Sequence, residues 1–406
     1  MVTGFLALSI AYNVTVPLYE APDEIAHGRY ITSLAEYNKL PEFDVPADYE
    51  SWQPPLYYAV GAGTLKLFGL GPLPELPENP NRQQISGHLH TIDESFPYSE
   101  PVLAVHVLRG ISGLFGAGAI VFIYLSSMLL LPERKLLALS AAATAGTVPQ
   151  FAFISSSVSN DSASVFFAAA TIYFALRYMK DTRDAWLVMA AIALSLGALT
   201  KGTTVIAGAV PLGVLLFSAL QWRQKVRHLV ILGALPLFIA GWFYARSVLL
   251  WGAVYPEHLF WTLSPKDIWD PIYRLYFPGI LRHTYWYAGG NLGVSMSPTV
   301  YDLLDVVSAL SLAGVIVTVI YAKLLAIQRQ ALVLLAILPV LATIGIVYFS
   351  VTVEWQPQGR YLFVAHPALA ILLPLGLAAL FARNRDEDHP ISAALPALLL
   401  AINVYI

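Results

Sequence analysis

The chain has 406 residues, 57% of them hydrophobic and only 12% charged, with a mean hydropathy of +0.64 and a net charge of −3. A soluble domain carries about 25% charged residues, so this composition excludes a disordered chain, a nucleic-acid binder and an ordinary soluble enzyme, and points to a protein whose main solvent is lipid. Without cysteine, disulfides, thiolate zinc sites and cysteine nucleophiles are excluded too.

Crossing the hydrocarbon core takes about 20 apolar residues at about 1.5 Å each. Apolar runs lie at 1–17, 102–131, 136–154, 162–179, 185–200, 203–220, 229–250, 303–322, 331–352, 361–381 and 391–406. They predict an all-α polytopic membrane protein of about eleven transmembrane helices, read as one domain over 1–406. The first and last runs are short, and with no convincing signal-peptide cleavage pattern 1–17 reads as a retained helix. Only Lys201-Gly202 separates 185–200 from 203–220, which demands a tight turn. Basic residues fall in alternate breaks: Arg134-Lys135, Lys180 and Arg183, Arg223 to Arg227, Lys323 and Arg329, Arg383 and Arg385. All share one side in the eleven-helix count, which the positive-inside rule makes cytoplasmic.

The outer side then carries the long loops 18–101 and 251–302 and the short turns 155–161, 201–202 and 353–360. Half of the 26 acidic residues lie between Glu20 and Glu100, whereas loop 251–302 is rich in Trp and Tyr. Within the first loop, 22–38 and 54–68 read as amphipathic helices suited to the membrane interface. Segment 71–100, with Pro72, Pro74, Pro77 and Pro80, reads as an irregular, mobile loop. No internal repeat suggests a transporter built from two halves.

Five groups of residues on that face could carry chemistry. Asp23 and Glu24 follow Pro22, which suits a first helical turn. Acids there are stabilised by the helix dipole whether or not they have a function. Asp23 and His27 are spaced i,i+4 on one helix face, as a histidine-supported base or a pair of metal ligands. Trp52-Gln53-Pro54-Pro55-Leu56-Tyr57-Tyr58 suits an interface anchor or a contact to sugar or lipid. Arg109, with His106 one turn before it, sits about a turn into a membrane helix, where an arginine either snorkels or pairs; Asp23 and Glu24 are the candidate partners. Asp161, in Ser159-Asn160-Asp161-Ser162, is a helix cap or a second carboxylate facing the same chamber. Lys201, Arg246, Arg282 and Arg360 are outer cations that could converge on a phosphate, with Lys201 and Arg360 the best placed. Glu257, His258, His283 and Glu354 are weaker candidates. No Walker loop, H-E-x-x-H motif or selectivity-filter loop occurs, and ionisable residues are scarce in mid-helix.

In this order the motifs resemble the GT-C superfamily of membrane glycosyltransferases, which includes protein O-mannosyltransferases and the lipid A aminoarabinose transferase. The closer resemblance of the two is to a bacterial branch described as domain of unknown function 2142. Its P-P-D-E-P-A-H-F box stands here as Ala21-Pro22-Asp23-Glu24-Ile25-Ala26-His27-Gly28. Ser157 to Ala163 resembles its S-x-x-N-D-A stretch, Lys201-Gly202-Thr203 its K-P/G-T turn, and Arg246-Ser247 its R-N stretch. Trp286 to Gly290 loosely resembles its W-G-x-F-G-W box, and Gln358-Gly359-Arg360-Tyr361-Leu362-Phe363 is a close match. The resemblance runs from about residue 17 to 380.

The resemblance implies a glycosyltransferase that takes a sugar from a polyprenyl-phosphate donor and passes it, usually with inversion, to a glycan, lipid or protein acceptor. It implies a bacterial inner membrane with the site facing the periplasm or cell exterior. Asp23 would be the base, with Glu24 orienting the acceptor or helping to hold a metal. Arg109 would fix the carboxylate, and Lys201, Arg246 and Arg360 would grip the donor phosphate. Some members of the superfamily use a divalent cation, for which Asp23, His27 and Asp161 are the candidate ligands. Rival readings are a lipid-linked-glycan flippase or transporter, a glycan polymerase or ligase, and a non-catalytic scaffold.

Overall fold

The computed structural model describes residues 1–42, 50–81, 87–254, 256, 270–290, 292–381 and 388–406. Every apolar run is helical, but several are interrupted. Runs 1–17 and 102–131 form α1 (Val2–Thr15) and α4 (Glu100–Leu130); run 136–154 splits into α5 (Lys135–Thr147) and α6 (Pro149–Ile154). Then come α7 (Asp161–Asp181), α8 (Asp184–Ala198), and a 3₁₀ turn Gly202–Gly208 leading into α9 (Ala209–Phe217). Run 229–250 becomes α10 (Trp222–Ile239) and α11 (Gly241–Trp251). The last four are α13 (Pro298–Tyr321), α14 (Ala326–Thr352), a 3₁₀ turn Gly359–Ala365 with α15 (His366–Phe381), and a short 3₁₀ turn with α16 (Ala394–Tyr405).

The interruptions have local causes. Pro149 excludes the helical region for the residue before it, and Val148 is extended at φ −61°, ψ 114°. Pro236 removes one N–H from the final turn of α10, and the chain bends 53° between α10 and α11. Five described helices are long and apolar enough to cross a membrane, or six if that bent pair is one span. The other five runs are shorter or broken, so helix length alone supports fewer full crossings than the eleven expected.

Several of the basic breaks are tied down by side-chain contacts. Gln328 Nε2 donates to the Leu130 carbonyl at 3.0 Å, Asp388 accepts from the amides of Leu136 and Leu137, and Asp184 holds Arg227 and His228. These breaks are the expected cytoplasmic ones. α13 and α15 touch backbone to backbone at Gly314 and Gly376, where a Cβ on either would strike the other helix.

Two loop helices were expected and a third was not. α2 (Glu24–Tyr37) and α3 (Leu56–Phe68) pack on each other and on α4 through Tyr30, Ile31, Tyr57, Tyr58 and Leu108. α12 (Pro271–Trp286) lies inside the loop 251–302. Its stripe of Tyr273, Phe277 and Leu281 packs with Ile346 of α14, and both aromatics meet Trp355 edge-on. The described residues of 71–100 are largely irregular, with a short 3₁₀ turn at Ile92–Glu94, and they are fastened. His90 lies 2.9 Å from Glu20 and 3.0 Å from Glu94, and Glu94 also accepts from the Leu18 amide.

Candidate active site

The acidic pair separates at once. Asp23 adopts a left-handed backbone, φ 64° and ψ 4°, and makes no side-chain cap to α2, which starts at Glu24. It is thus the residue before the helix, not part of a first turn as the sequence suggested. Its carboxylate turns to Arg360, 337 positions away in the chain. Glu24 turns inward. Its two oxygens accept from Arg109 Nε and Nη2 at 2.8 Å each, and also from the amides of Tyr19 and Val158. The remaining Arg109 N–H groups go to the carbonyls of Asn13, Val16 and Pro17. All five guanidinium donors are then used. Arg109 therefore fixes Glu24 rather than Asp23, and Glu24 has no oxygen left to orient an acceptor or bind a metal.

Asp23 and Arg360 line a cavity of about 530 Å³. Its polar end also includes His27, Glu50, Gln53 and Lys201, beside Trp52. Elsewhere the wall mixes polar side chains such as Thr203, Thr352 and Gln356 with apolar ones, chiefly Ile206 of the 3₁₀ turn and Ala342, Ile346 and Phe349 along α14. Asp161 sits just behind this wall, not in it. It is buried, 2.6 Å from Lys201 Nζ and 4.0 Å from Arg360 Nη1. Two carboxylates and two cations thus form one alternating cluster, with Tyr361 beneath both cations at ring distances of 5.5 and 5.4 Å.

Arg360 is held in place by the extended strand of sequence before it. Gln358 Oε1 accepts from Arg360 Nε at 2.7 Å, Gln356 Oε1 from Gln358, and Glu354 from Gln356, both at 2.9 Å. Alternate residues of an extended chain share a side, so Glu354, Gln356 and Gln358 make a relay. Gly359 lets this segment lean on α12, since a Cβ there would strike the backbone of Leu281 and Tyr285. Its amide donates to Thr284 Oγ1 at 2.6 Å.

His27 hydrogen-bonds the Tyr58 hydroxyl at 2.8 Å, and Asn160 bridges Tyr58, Gln53 and the Thr200 carbonyl. Burial pushes His27 down to about 4 against the pull of Asp23, so the imidazole is neutral at neutral pH. Of the aromatic segment, Trp52 and Gln53 face the cavity. Tyr57 bonds Ser112 at 2.8 Å and Tyr58 stacks on Tyr30 at 3.8 Å, so both support the wall from behind instead of touching a ligand.

Several expected members do not converge. Arg246 donates to the Pro41 carbonyl and lies over Trp251, and Arg282 pairs with Asp305. His283 stacks on Tyr301. Glu257 and His258 lie outside the described residues. Sequence reasoning missed Glu50 and the relay through Gln356 and Gln358. The i,i+2 spacing in Glu354-Trp355-Gln356-Pro357-Gln358-Gly359-Arg360 was the available signal for the relay. A metal would need several lone pairs converging on one point. Asp23 is held by Arg360, Asp161 by Lys201 and His27 Nδ1 by Tyr58. Among the described residues no three His, Asp or Glu side chains form a metal-sized group. As arranged, Asp23, His27 and Asp161 do not fit a cation.

This bundle of apolar helices with an acid-and-cation cavity is similar in fold to several solved proteins. Residues 105–244 match the family model described as dolichyl-phosphate-mannose-protein mannosyltransferase. The structure is similar to ArnT from Cupriavidus metallidurans bound to undecaprenyl phosphate, at 19% identity and TM-score 0.53, covering 99% of this chain and 63% of that one. Apo ArnT gives 18% identity and TM-score 0.55, covering 99% and 62%. The oligosaccharyltransferase of Archaeoglobus fulgidus, in complex with Zn and sulfate, gives 14% identity and TM-score 0.51, covering 99% and 51%. The chain therefore spans less than two thirds of the length of these structures. No curated protein sequence matches it.

Proposed function

We propose that the chain is an integral-membrane glycosyltransferase that moves a sugar from a polyprenyl-phosphate donor to an acceptor hydroxyl, with inversion and with Asp23 as base. One observation carries this reading: Asp23, Lys201 and Arg360 share a cavity with apolar Ile206, Ala342, Ile346 and Phe349. A polyprenyl phosphate has the same division, an anionic head and a hydrocarbon tail. The likeness to ArnT bound to undecaprenyl phosphate supports the same donor class. The basic breaks argue for a plasma membrane with the site on its outer side, and the boxed motifs for a bacterial one.

The chemistry balances without a nucleotide. The acceptor oxygen attacks the anomeric carbon and its proton passes to an Asp23 oxygen. The bond from that carbon to the phosphate oxygen breaks, and its electron pair leaves on the phosphate. Positive charge grows on the sugar ring and negative charge on the leaving group. Carboxylates near the first and cations near the second stabilise both. Trp52 and Gln53 are placed to contact the sugar. The cavity's ionisable groups gather at one end, which favours transfer over a flippase, where charges would be needed deep in the bundle. Asp23→Asn should lower transfer from a lipid-linked sugar by about 10²- to 10⁴-fold in reconstituted protein, with folding retained. Full activity in that variant would sink the assignment.

A further inference from the structure

The base proposed above is not free in the unliganded site. Asp23 forgoes the N-terminus of its own helix, where a carboxylate is ordinarily favoured, and its left-handed backbone delivers it to Arg360. A carboxylate held by a guanidinium is a poor proton acceptor, because the pairing favours its charged form. The cations are equally engaged: Lys201 by Asp161, and Arg360 by Asp23, with Asp161 close by. The charges of these four side chains cancel, and His27 is neutral. An arriving phosphate must therefore draw a cation away from a carboxylate.

Arg360 is built for that exchange. Gln358 tethers its Nε at 2.7 Å, and Gln356 and Glu354 anchor Gln358 in turn. The terminal nitrogens can then change partner while the side chain keeps its place. A planar fork with several donors suits a carboxylate and a phosphate alike. Arg360 and Asp23 both line the cavity, whereas Asp161 lies behind it, so an incoming anion competes first for the Asp23 partner.

We infer that Arg360 is a latch on Asp23, released when the donor phosphate takes the guanidinium, so that donor binding is what arms the base. The inference rests on the proposed reading of the site. Once released, Asp23 has lost a cation and gained a neighbouring anion, and both changes strengthen it as a base. The acceptor proton then reaches Asp23 as the anomeric C–O bond breaks, and Arg360 stays with the phosphate that carries the electron pair. Binding is thereby ordered, donor first.

The latch makes an unusual demand: removing the base should improve lipid binding. Undecaprenyl phosphate without sugar is titrated into the full chain in nanodiscs, as wild type, Asp23→Asn and Glu50→Gln. Asp23→Asn should bind about tenfold more tightly, the equivalent of one charge-assisted hydrogen bond no longer broken. Glu50→Gln removes another carboxylate of the same wall and should gain less than about twofold if general repulsion is minor. Equal gains in both variants, or no gain in Asp23→Asn, would overturn the latch while leaving the donor class standing. If wild type does not bind the lipid, the proposed function and the latch fall together. Should Asp23→Asn not yield monodisperse protein, Asp23→Gly replaces it, since glycine also accepts the left-handed backbone. Failure of both to fold would make the pair a structural strut and end the latch.

Discussion

Two arginine–carboxylate pairs lie at the same end of the bundle, Glu24 with Arg109 and Asp23 with Arg360. The first is completely enclosed, with both side chains at 0% exposure, and every arginine N–H is satisfied by Glu24 or a main-chain carbonyl. The second opens on a cavity, with Asp23 at 22% and Arg360 at 5% exposure. Adjacent residues with the same functional group therefore serve opposite ends. A saturated pair can only hold its surroundings together, here the start of α2, the end of α1 and the turn before α7. A pair on a cavity wall can trade partners. Saturation, more than burial, separates a brace from a pair that is open to exchange.

The largest effect should come from breaking the brace. Arg109→Ala leaves Glu24 buried without its partner, and a buried charge stripped in this way costs about 3–5 kcal/mol. The measurement is recovery of monodisperse protein and its apparent Tm in detergent. Glu24→Gln combined with Arg109→Met should recover part of the loss, because the two sites share one network. If Arg109→Ala keeps its Tm and loses only activity, the brace belongs to the catalytic machinery and the contrast collapses. Next in size is Arg360→Ala, which should weaken undecaprenyl phosphate binding by about 10- to 100-fold, the range of one or two charge-assisted contacts. Its Tm should move less than that of Arg109→Ala. An unchanged lipid affinity would leave Lys201 as the phosphate's main partner.

Much of this arrangement was legible in the chain. Helical runs stand out because hydrocarbon leaves the backbone no alternative to internal hydrogen bonding. Asp23, Lys201 and Arg360 stand out because charges are scarce and these fall on the loop-bearing side. What could not be read is direction. Whether Asp23 caps its helix or turns to Arg360 depends on one backbone torsion fixed by tertiary contacts. Lys201 and Arg246 were both candidate phosphate cations, yet one meets Asp161 and the other the carbonyl of Pro41. α12 was hidden for a different reason. Its apolar stripe of Tyr273, Phe277 and Leu281 is too short to register as a membrane run, and only its i,i+4 spacing betrays it. The breaks at Pro149 and Pro236 were visible as prolines, but averaged hydropathy runs straight through them.

The smallest expected effect compares two histidines shifted in opposite directions, His27 in the cavity lining and His90 in the segment 71–100. His27 is buried beside Tyr58 and pushed down to about 4, against an ordinary value of about 6.5. Between those values the unfolded chain binds a proton that the folded chain refuses, so acid favours unfolding. The stability tied to neutral His27 is complete above about pH 6.5 and is lost as pH falls towards 4. His90, which fastens the segment 71–100, is shifted the other way: burial lowers it, but Glu20 and Glu94 together outweigh burial and raise it. Its contribution is complete below about pH 6.5 and is lost as pH rises through its folded value. Apparent Tm measured from pH 7.5 to 4.5 should therefore fall less steeply in His27→Gln than in wild type, whatever the offset between the two at neutral pH. His90→Gln should show the reverse, a deficit against wild type that widens as pH falls. Parallel curves for His27→Gln and wild type would mean that His27 is hydrated in the folded protein, and that the polar end of the cavity is wetter than a water-excluding transfer site should be.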